Sequence, residues 1–491
     1  MFEVAELGRK LSKSDYKAQI PELREQLLDA QFSLSGENRS LLIIISGLDA
    51  AGRGEVVSML NEWLDARGIE TVTFEHITDE EAARPEYWRY WRNLPAKGRI
   101  HILFGGWYIS PVTDYAYKRV EDASFDQTMT HIRRFEHMLA ADGMVILKFW
   151  LHISEDIQQN RLETLSEDPH SKRRVSKRDW RNAKRYKHFV AAAEHMIRQT
   201  STGDAPWILV EASNQRYRDI AVARHVLRTL QKLDNPALPE NEQPVEPAHP
   251  LGETSRTVLD TVDLTQTLSK VQYKDELKVL QGQFNKLSWA AHEKKRSLIT
   301  VFEGWDAAGK GGAIRRLTQA MDARLYRVIS IAAPTDEERA HHYLWRFWRH
   351  IPRDGMFTIY DRSWYGRVLV ERVEGFAEKN EWMRAYMEIN EFENMLVEHG
   401  TMLCKFWLHI SPEEQLRRFK EREDTPHKRH KITEEDWRNR EKWDDYALAI
   451  DDMVARTSNR QTPWHLIPAE DKRYARIAVL RTVCETLEAK L

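Results

Sequence analysis

The feature that most constrains this chain is that it repeats itself. Lys148-Phe-Trp-Leu-His-Ile-Ser154 recurs as Lys405-Phe-Trp-Leu-His-Ile-Ser411, an offset of 257 residues. The same offset carries Gly47-Leu-Asp-Ala-Ala-Gly-Arg-Gly54 onto Gly304-Trp-Asp-Ala-Ala-Gly-Lys-Gly311, and Tyr16-Lys17 onto Tyr273-Lys274. It also carries Trp107-Tyr108 onto Trp364-Tyr365, Asp179-Trp180 onto Asp436-Trp437, and Pro206-Trp207 onto Pro463-Trp464. A constant offset over so long a stretch requires two copies of one domain with almost no insertions. The period is far too long for a solenoid repeat. Between the copies, Pro236 to Pro250 holds five prolines in fifteen residues, the composition of an extended linker. The expected organisation is therefore a first domain at 1–235, a Pro-rich linker at 236–255 and a second domain at 256–491.

Composition narrows the class. The 491 residues carry a formal charge of −2, which argues against a nucleic-acid coat. The two cysteines, Cys404 and Cys484, rule out a disulfide framework and a Cys-rich zinc module. No run approaches 18 consecutive apolar residues, and Met1-Phe-Glu-Val-Ala-Glu6 lacks the apolar core of a secretion signal. No membrane or nucleic-acid partner and a cytoplasmic location are expected.

Each copy alternates short β-branched and aromatic runs with longer helical stretches. In the second copy the runs are Ser297–Phe302, Arg327–Ile331, Met356–Tyr360, Met402–Leu408 and Trp464–Ile467. Alternation of this kind predicts an α/β fold with a parallel sheet covered by helices.

The second copy places Gly304-Trp-Asp-Ala-Ala-Gly309-Lys310 between a strand and a helix, the context a phosphate loop needs. Its glycines let backbone N–H groups reach phosphate oxygens, and the helix N-terminus adds partial positive charge. Lys310 supplies a mobile cation, and Gly311 and Gly312 extend the open backbone. Two features depart from the usual pattern. Gly311 follows Lys310 where a hydroxyl residue would hold magnesium. The loop also contains an acid, Asp306, which is costly among anions unless it holds the metal or takes a proton. A helix cap is the plainer reading of Asp306.

A second acid, Asp361, ends the third strand, where a metal-holding carboxylate belongs. Arg362 and Arg367 follow it as bidentate phosphate ligands, or as partners in surface ion pairs. Arg417 to Lys431 then packs seven Lys or Arg into fifteen residues, Arg422, Lys428 and Lys431 among them. This is either a solvated face or a lid that brings positive charge over a polyanion. His427 and His430 sit among cations and make no zinc site. The aromatic stretch Tyr343–Arg349 could stack a base, but helical aromatic stripes more often face a core.

The Gly304–Gly312 loop, Asp361-Arg-Ser-Trp-Tyr-Gly-Arg367, the His427–Lys431 segment, Thr462-Pro-Trp464 and Asp471-Lys-Arg473 resemble the polyphosphate kinase 2 family. The tandem arrangement resembles its two-domain branch. The resemblance implies tandem P-loop kinase-like domains, each a helix-flanked parallel sheet with a helical lid. It implies polyphosphate as phosphoryl donor, AMP converted to ADP, and Mg2+. Asp306 and Asp361 would organise the metal and the attacking phosphate, and Lys310 and Arg362 would neutralise the migrating group. Arg367, Lys428 and Lys431 would hold phosphates from the far side. Oligomeric state is left open, a homo-oligomer being one expectation. The alternatives are an ATP-dependent nucleoside monophosphate kinase and a non-catalytic polyphosphate-binding scaffold.

The first copy has lost much of this set. Arg53 replaces Lys310, and Phe104-Gly105 stand where the second copy has Asp361-Arg362. Ser110 replaces Arg367, Ser171 replaces Lys428, and Asn214-Gln215 replace Asp471-Lys472. It is expected to be catalytically inactive. Lys172-Arg173-Arg174 and Lys177-Arg178 leave it either weak polyphosphate binding or a packing role.

Overall fold

The computed structural model describes residues 1–74, 76–170, 172–234, 257–425 and 432–491. The Pro-rich stretch at 236–255 and the basic segment 426–431 lie outside the described residues.

Among the described residues ten strands form two sheets. In the first copy they are β1 (Ser40–Gly47), β2 (Ile69–Thr73), β3 (Ile100–Phe104), β4 (Met144–His152) and β5 (Trp207–Glu211). In the second they are β6 (Leu298–Gly304), β7 (Tyr326–Ser330), β8 (Phe357–Asp361), β9 (Met402–His409) and β10 (Trp464–Pro468). The first sheet runs β2-β3-β1-β4-β5 and the second β7-β8-β6-β9-β10, with parallel pairing throughout. The order follows from burial. Leu41 to Ile45 of β1 are fully buried, as a central strand covered on both faces must be, while β7 at an edge is largely open. Because β6 lies between β8 and β9, its C-terminal end meets both neighbours where the order reverses. Such a switch point is where open α/β sheets bind ligands.

Two compact units separate at the linker region, with two departures from the copy boundaries: Thr78–Arg92 belongs to the second unit and Asp336–His342 to the first. Inside the second unit, Trp91 stacks on Trp348 with ring centroids 5.7 Å apart, and the Asp354 N–H donates to the Ala83 carbonyl at 2.9 Å. Trp345, Phe347 and Trp348 are buried, so the aromatic stretch is core.

One buried polar cluster recurs in both copies. Lys405 of β9 donates to Glu393 at 2.8 Å, to the Tyr365 hydroxyl at 2.9 Å and to the Thr457 carbonyl at 2.8 Å. Glu393 also accepts from Tyr365 at 2.6 Å and Trp364 at 3.1 Å. The first copy repeats it with Lys148, Glu136, Tyr108, Trp107 and Thr200. Every charge is answered by an opposite charge and by hydrogen bonds, the condition under which buried ions are tolerated. In the second copy the cluster fixes Trp364 and Tyr365, and with them the turn that follows Asp361.

Candidate active site

The loop between β6 and the helix Lys310–Thr318 is set by backbone constraints. Gly304 has φ 148°, and a Cβ there would lie 2.6 Å from the Leu408 carbonyl oxygen of β9. Gly309, the N-cap of the helix, has φ 114°. No side chain caps this helix, so Asp306 is not a cap. Its carboxylate instead accepts from Asn439 at 2.9 Å and from the Arg362 guanidinium at 3.4 Å. The Lys310 ammonium folds back onto the loop, 2.6 Å from the Gly304 carbonyl and 3.4 Å from that of Trp305.

Arg418 corrects one expectation. The basic run reads in the sequence as a solvated face or a lid, but Arg418 within it is only 2% exposed. It donates to the carbonyls of Ala307 and Ala308, each at 3.0 Å, and to those of Ala469 at 2.7 Å and Glu470 at 2.8 Å. It is a strut that shapes the phosphate loop. Arg161 does the same for Ala50, Ala212 and Ser213 in the first copy.

Asp361 ends β8 in register with Phe302 of β6 and Ser330 of β7. Among the described residues its carboxylate has no hydrogen-bond or ion-pair partner. Arg362 has φ 64°, a left-handed conformation that costs a non-glycine residue about 1–3 kcal/mol. Its N–H is held by the Phe302 carbonyl at 3.1 Å, and its side chain turns to Asp306. Sequence reasoning missed Glu303. This carboxyl is 6% exposed, accepts from Ser363 Oγ at 2.8 Å, and is pushed up by burial, against the pull of Ser363, Lys310 and Arg362. The signal was available: the first copy has Ser46 and Gly106 at the positions of Glu303 and Ser363.

Glu303, Gly304, Asp306, Lys310, Arg362 and Glu435 line one cleft of about 80 Å³. Trp305 lines it too, stacked on Trp443 at 3.6 Å between ring centroids and donating to His409 Nδ1 at 3.0 Å. Gly311 and Gly312 form the first turn of the helix, where Gly312 faces Arg476. Arg367 does not line the cleft. Its guanidinium lies 3.1 Å from Glu371 and 3.8 Å from Glu381, over the Tyr343 ring. Arg422 lies on the helix Pro412–Asp424, outside the cleft lining. Lys428 and Lys431 lie outside the described residues.

Among the described residues no three His, Cys, Asp or Glu side chains converge as a metal site. Two carboxylates near a phosphate loop nevertheless suit a hard cation that takes its remaining ligands from water and phosphate oxygens. The free carboxylate of Asp361 fits that role. A divalent metal is typical of nucleotide phosphotransferases.

In the first copy the corresponding groups are closed on one another. Arg53 donates to Asp49 at 2.5 Å and lies over the Phe104 ring. Gly105 has φ 79°, and Ile109 fills the space where its Cβ would be.

A glycine-built loop at the switch point of a parallel sheet, with an acid at the next strand tip and cations over both, defines a P-loop phosphotransferase. The chain belongs to the polyphosphate kinase 2 family, whose model matches residues 10–237 and 267–491. It is 48% identical over 489 residues to the polyphosphate:AMP phosphotransferase of Pseudomonas syringae, covering 99% of this chain and 98% of that one. The enzyme of that name from Acinetobacter johnsonii is 39% identical, covering 95% of this chain and 96% of that one. A crystal structure of a polyphosphate kinase 2 from Pseudomonas aeruginosa superposes with a TM-score of 0.89 at 46% identity, covering 100% of this chain and 99% of that one. No helix among the described residues is long and apolar enough to cross a membrane.

Proposed function

We propose that this chain moves the terminal phosphoryl group of inorganic polyphosphate to AMP, giving ADP, and that the second copy does the chemistry. The observation that carries this reading is the gathering of Asp306, Lys310 and Arg362 in one cleft beside Asp361, within a chain matched end to end by relatives of that name.

A phosphate oxygen of AMP attacks the terminal phosphorus of the chain. The bond from that phosphorus to the bridging oxygen breaks, and the shortened polyphosphate leaves with the bond's electrons. Such a transfer needs in-line positioning and neutralisation of charge more than covalent help. Lys310 leaves its loop carbonyls for the migrating phosphoryl group. Arg362 is held at the mouth by its backbone and bears on the same charge. Asp306 and Asp361 would hold Mg2+, which when bound offsets the phosphate charge. Arg367, Arg422, Lys428 and Lys431 would grip the outer phosphates, Arg367 after exchanging its carboxylate partners. The protein works in the cytoplasm, without nucleic acid, and a homo-oligomer is compatible with this reading.

The test is one panel: polyphosphate and ATP as donors against each nucleoside mono- and diphosphate as acceptor, with and without Mg2+. ADP formed from AMP and polyphosphate, dependent on Mg2+, is the expected result. Faster turnover with ATP would leave the monophosphate-kinase reading in its place.

A further inference from the structure

At the tip of the first sheet, where the second copy has a narrow cleft, lies a cavity of about 750 Å³. The difference follows from side-chain volume and charge. Ser46 and Leu48 stand where the second copy has Glu303 and Trp305. The walls are aromatic, with Phe74, Phe104, Tyr186 and Phe189 among them. Polar groups sit between these rings. Asn182 donates to Asp49 at 2.8 Å. Gln158, 2% exposed, donates to the Asp49 carbonyl, while its buried Oε1 has no hydrogen-bond partner. In the second copy the matching Gln415 Oε1 accepts from Arg440, which is Ala183 in the first. Arg178 lines the cavity and is exposed, and its guanidinium has no hydrogen-bond or ion-pair partner among the described residues.

The other side of the same loop offers a polyanion fewer cations than the second copy does. A cleft of about 820 Å³ there is lined by Glu55, Glu62 and Asp219 as well as Asp49 and Asp179. The second copy has Gly312, Gln319 and Arg476 at the first three positions, and its Arg422 and Lys472 are Leu165 and Gln215 here. Three cations of the second copy have become an acid, an amide and an apolar group along the face where a phosphate chain would run, and the acids there are held by Arg24, Arg53 and Arg218, so the cationic track is thinned. With Phe104 in place of Asp361, one of the two carboxylates proposed to hold the metal is gone, and Asp49, the counterpart of Asp306, is engaged by Arg53 and Asn182.

What remains is an aromatic-walled cavity within the size range of small-ligand pockets. Among the described residues it has one guanidinium without a partner, Arg178, while the two acids in its wall are already engaged, Asp49 by Arg53 and Asn182 and Asp179 by Ser176. We infer that the first copy binds a nucleoside monophosphate without metal, at a site separate from the one that turns over. The ring lies between the aromatic walls and the phosphate meets Arg178. The choice of AMP as probe rests on the proposed acceptor of the second copy.

The test is equilibrium dialysis of labelled AMP against the full chain in EDTA, with no donor present. Two AMP per chain are expected. Arg178→Glu, at the exposed mouth, should weaken one of them at least tenfold. Thr113→Trp, which fills the cavity, should abolish the same one. Arg362→Ala should leave that site intact, and a melting curve on each variant checks its fold. One AMP per chain that survives both Arg178→Glu and Thr113→Trp overturns the inference. So do two AMP retained by both Arg178→Glu and Thr113→Trp, and so does displacement of AMP from the first copy by polyphosphate. None of these outcomes touches the reading of the second copy, which the donor and acceptor panel decides separately.

Discussion

Lys310 and Arg362 show how single residues divide between chemistry and fold. Lys310 rests on two loop carbonyls, a position water can fill when it leaves. Lys310→Ala should therefore keep the fold while costing about 2–4 kcal/mol of transition-state stabilisation, as loss of one preorganised electrostatic group does. Measured as kcat, that is a fall of about 30-fold to 1,000-fold, and near-normal turnover would remove Lys310 from the mechanism. Arg362 is the opposite case, since its backbone is strained where its first-copy counterpart is glycine at φ 79°. Arg362→Gly should lower kcat steeply while leaving the melting temperature unchanged or higher, because glycine adopts that conformation without steric cost. A marked drop in melting temperature would show that the arginine serves the fold. The sequence made Lys310, Asp306 and Asp361 visible, because glycine spacing and strand ends announce them. It could not announce Glu303 or the strain at Arg362, since both depend on how β6 and β8 lie beside each other.

At the scale of elements, the phosphate loop is held from behind by groups that local pattern does not reveal. Arg418 reads in the sequence as one more cation in a basic run, because burial is set by the loops it bonds and not by its neighbours in the chain. His409, at the end of β9, is another such support. It accepts from the Trp305 indole N–H through Nδ1, and burial pulls its pKa down to about 4. An unfolded histidine titrates near 6.5. The folded value lies lower, so the unfolded chain takes up the proton first. The stability His409 contributes is thus present above about pH 6.5 and is lost as pH falls toward 4, about 3 kcal/mol in all. His409→Asn keeps an acceptor for Trp305 without titrating. Thermal melts at pH 7 and pH 5 should show a smaller decline for this variant than for the unaltered chain, and equal declines would deny His409 the role.

For the whole molecule, the two copies act as each other's control. What both retain belongs to the fold: the strand order, Arg161 and Arg418, and the Lys148 and Lys405 clusters. What only the second retains includes the residues of the proposed chemistry, Lys310, Asp361 and Arg362, and Glu303 in the same cleft as Lys310 and Arg362. Lys310→Ala combined with Asp361→Asn should then abolish phosphotransfer by the full chain to the assay limit. Residual Mg2+-dependent ADP formation above that limit would mean that the first copy turns over. The duplication was plain from the constant offset, and the parallel α/β class from the alternation of runs. The transfer of Thr78–Arg92 to the second unit was not, because nothing local in that segment says which core its tryptophans will join.

The buried lysine cluster has a consequence for synthesis on the ribosome. Its members in the first copy, Trp107, Tyr108, Glu136, Lys148 and Thr200, all fall within residues 107–200. The charges of that core can find one another while the second copy is still untranslated, so no half-satisfied ion pair need wait for a distant segment. Domains of a growing chain generally fold in order of emergence, at about 5–20 residues added per second. Nascent chains stalled past residue 260 should resist protease across β1 to β5, and Lys148→Met should remove that resistance before any effect on the second copy is felt.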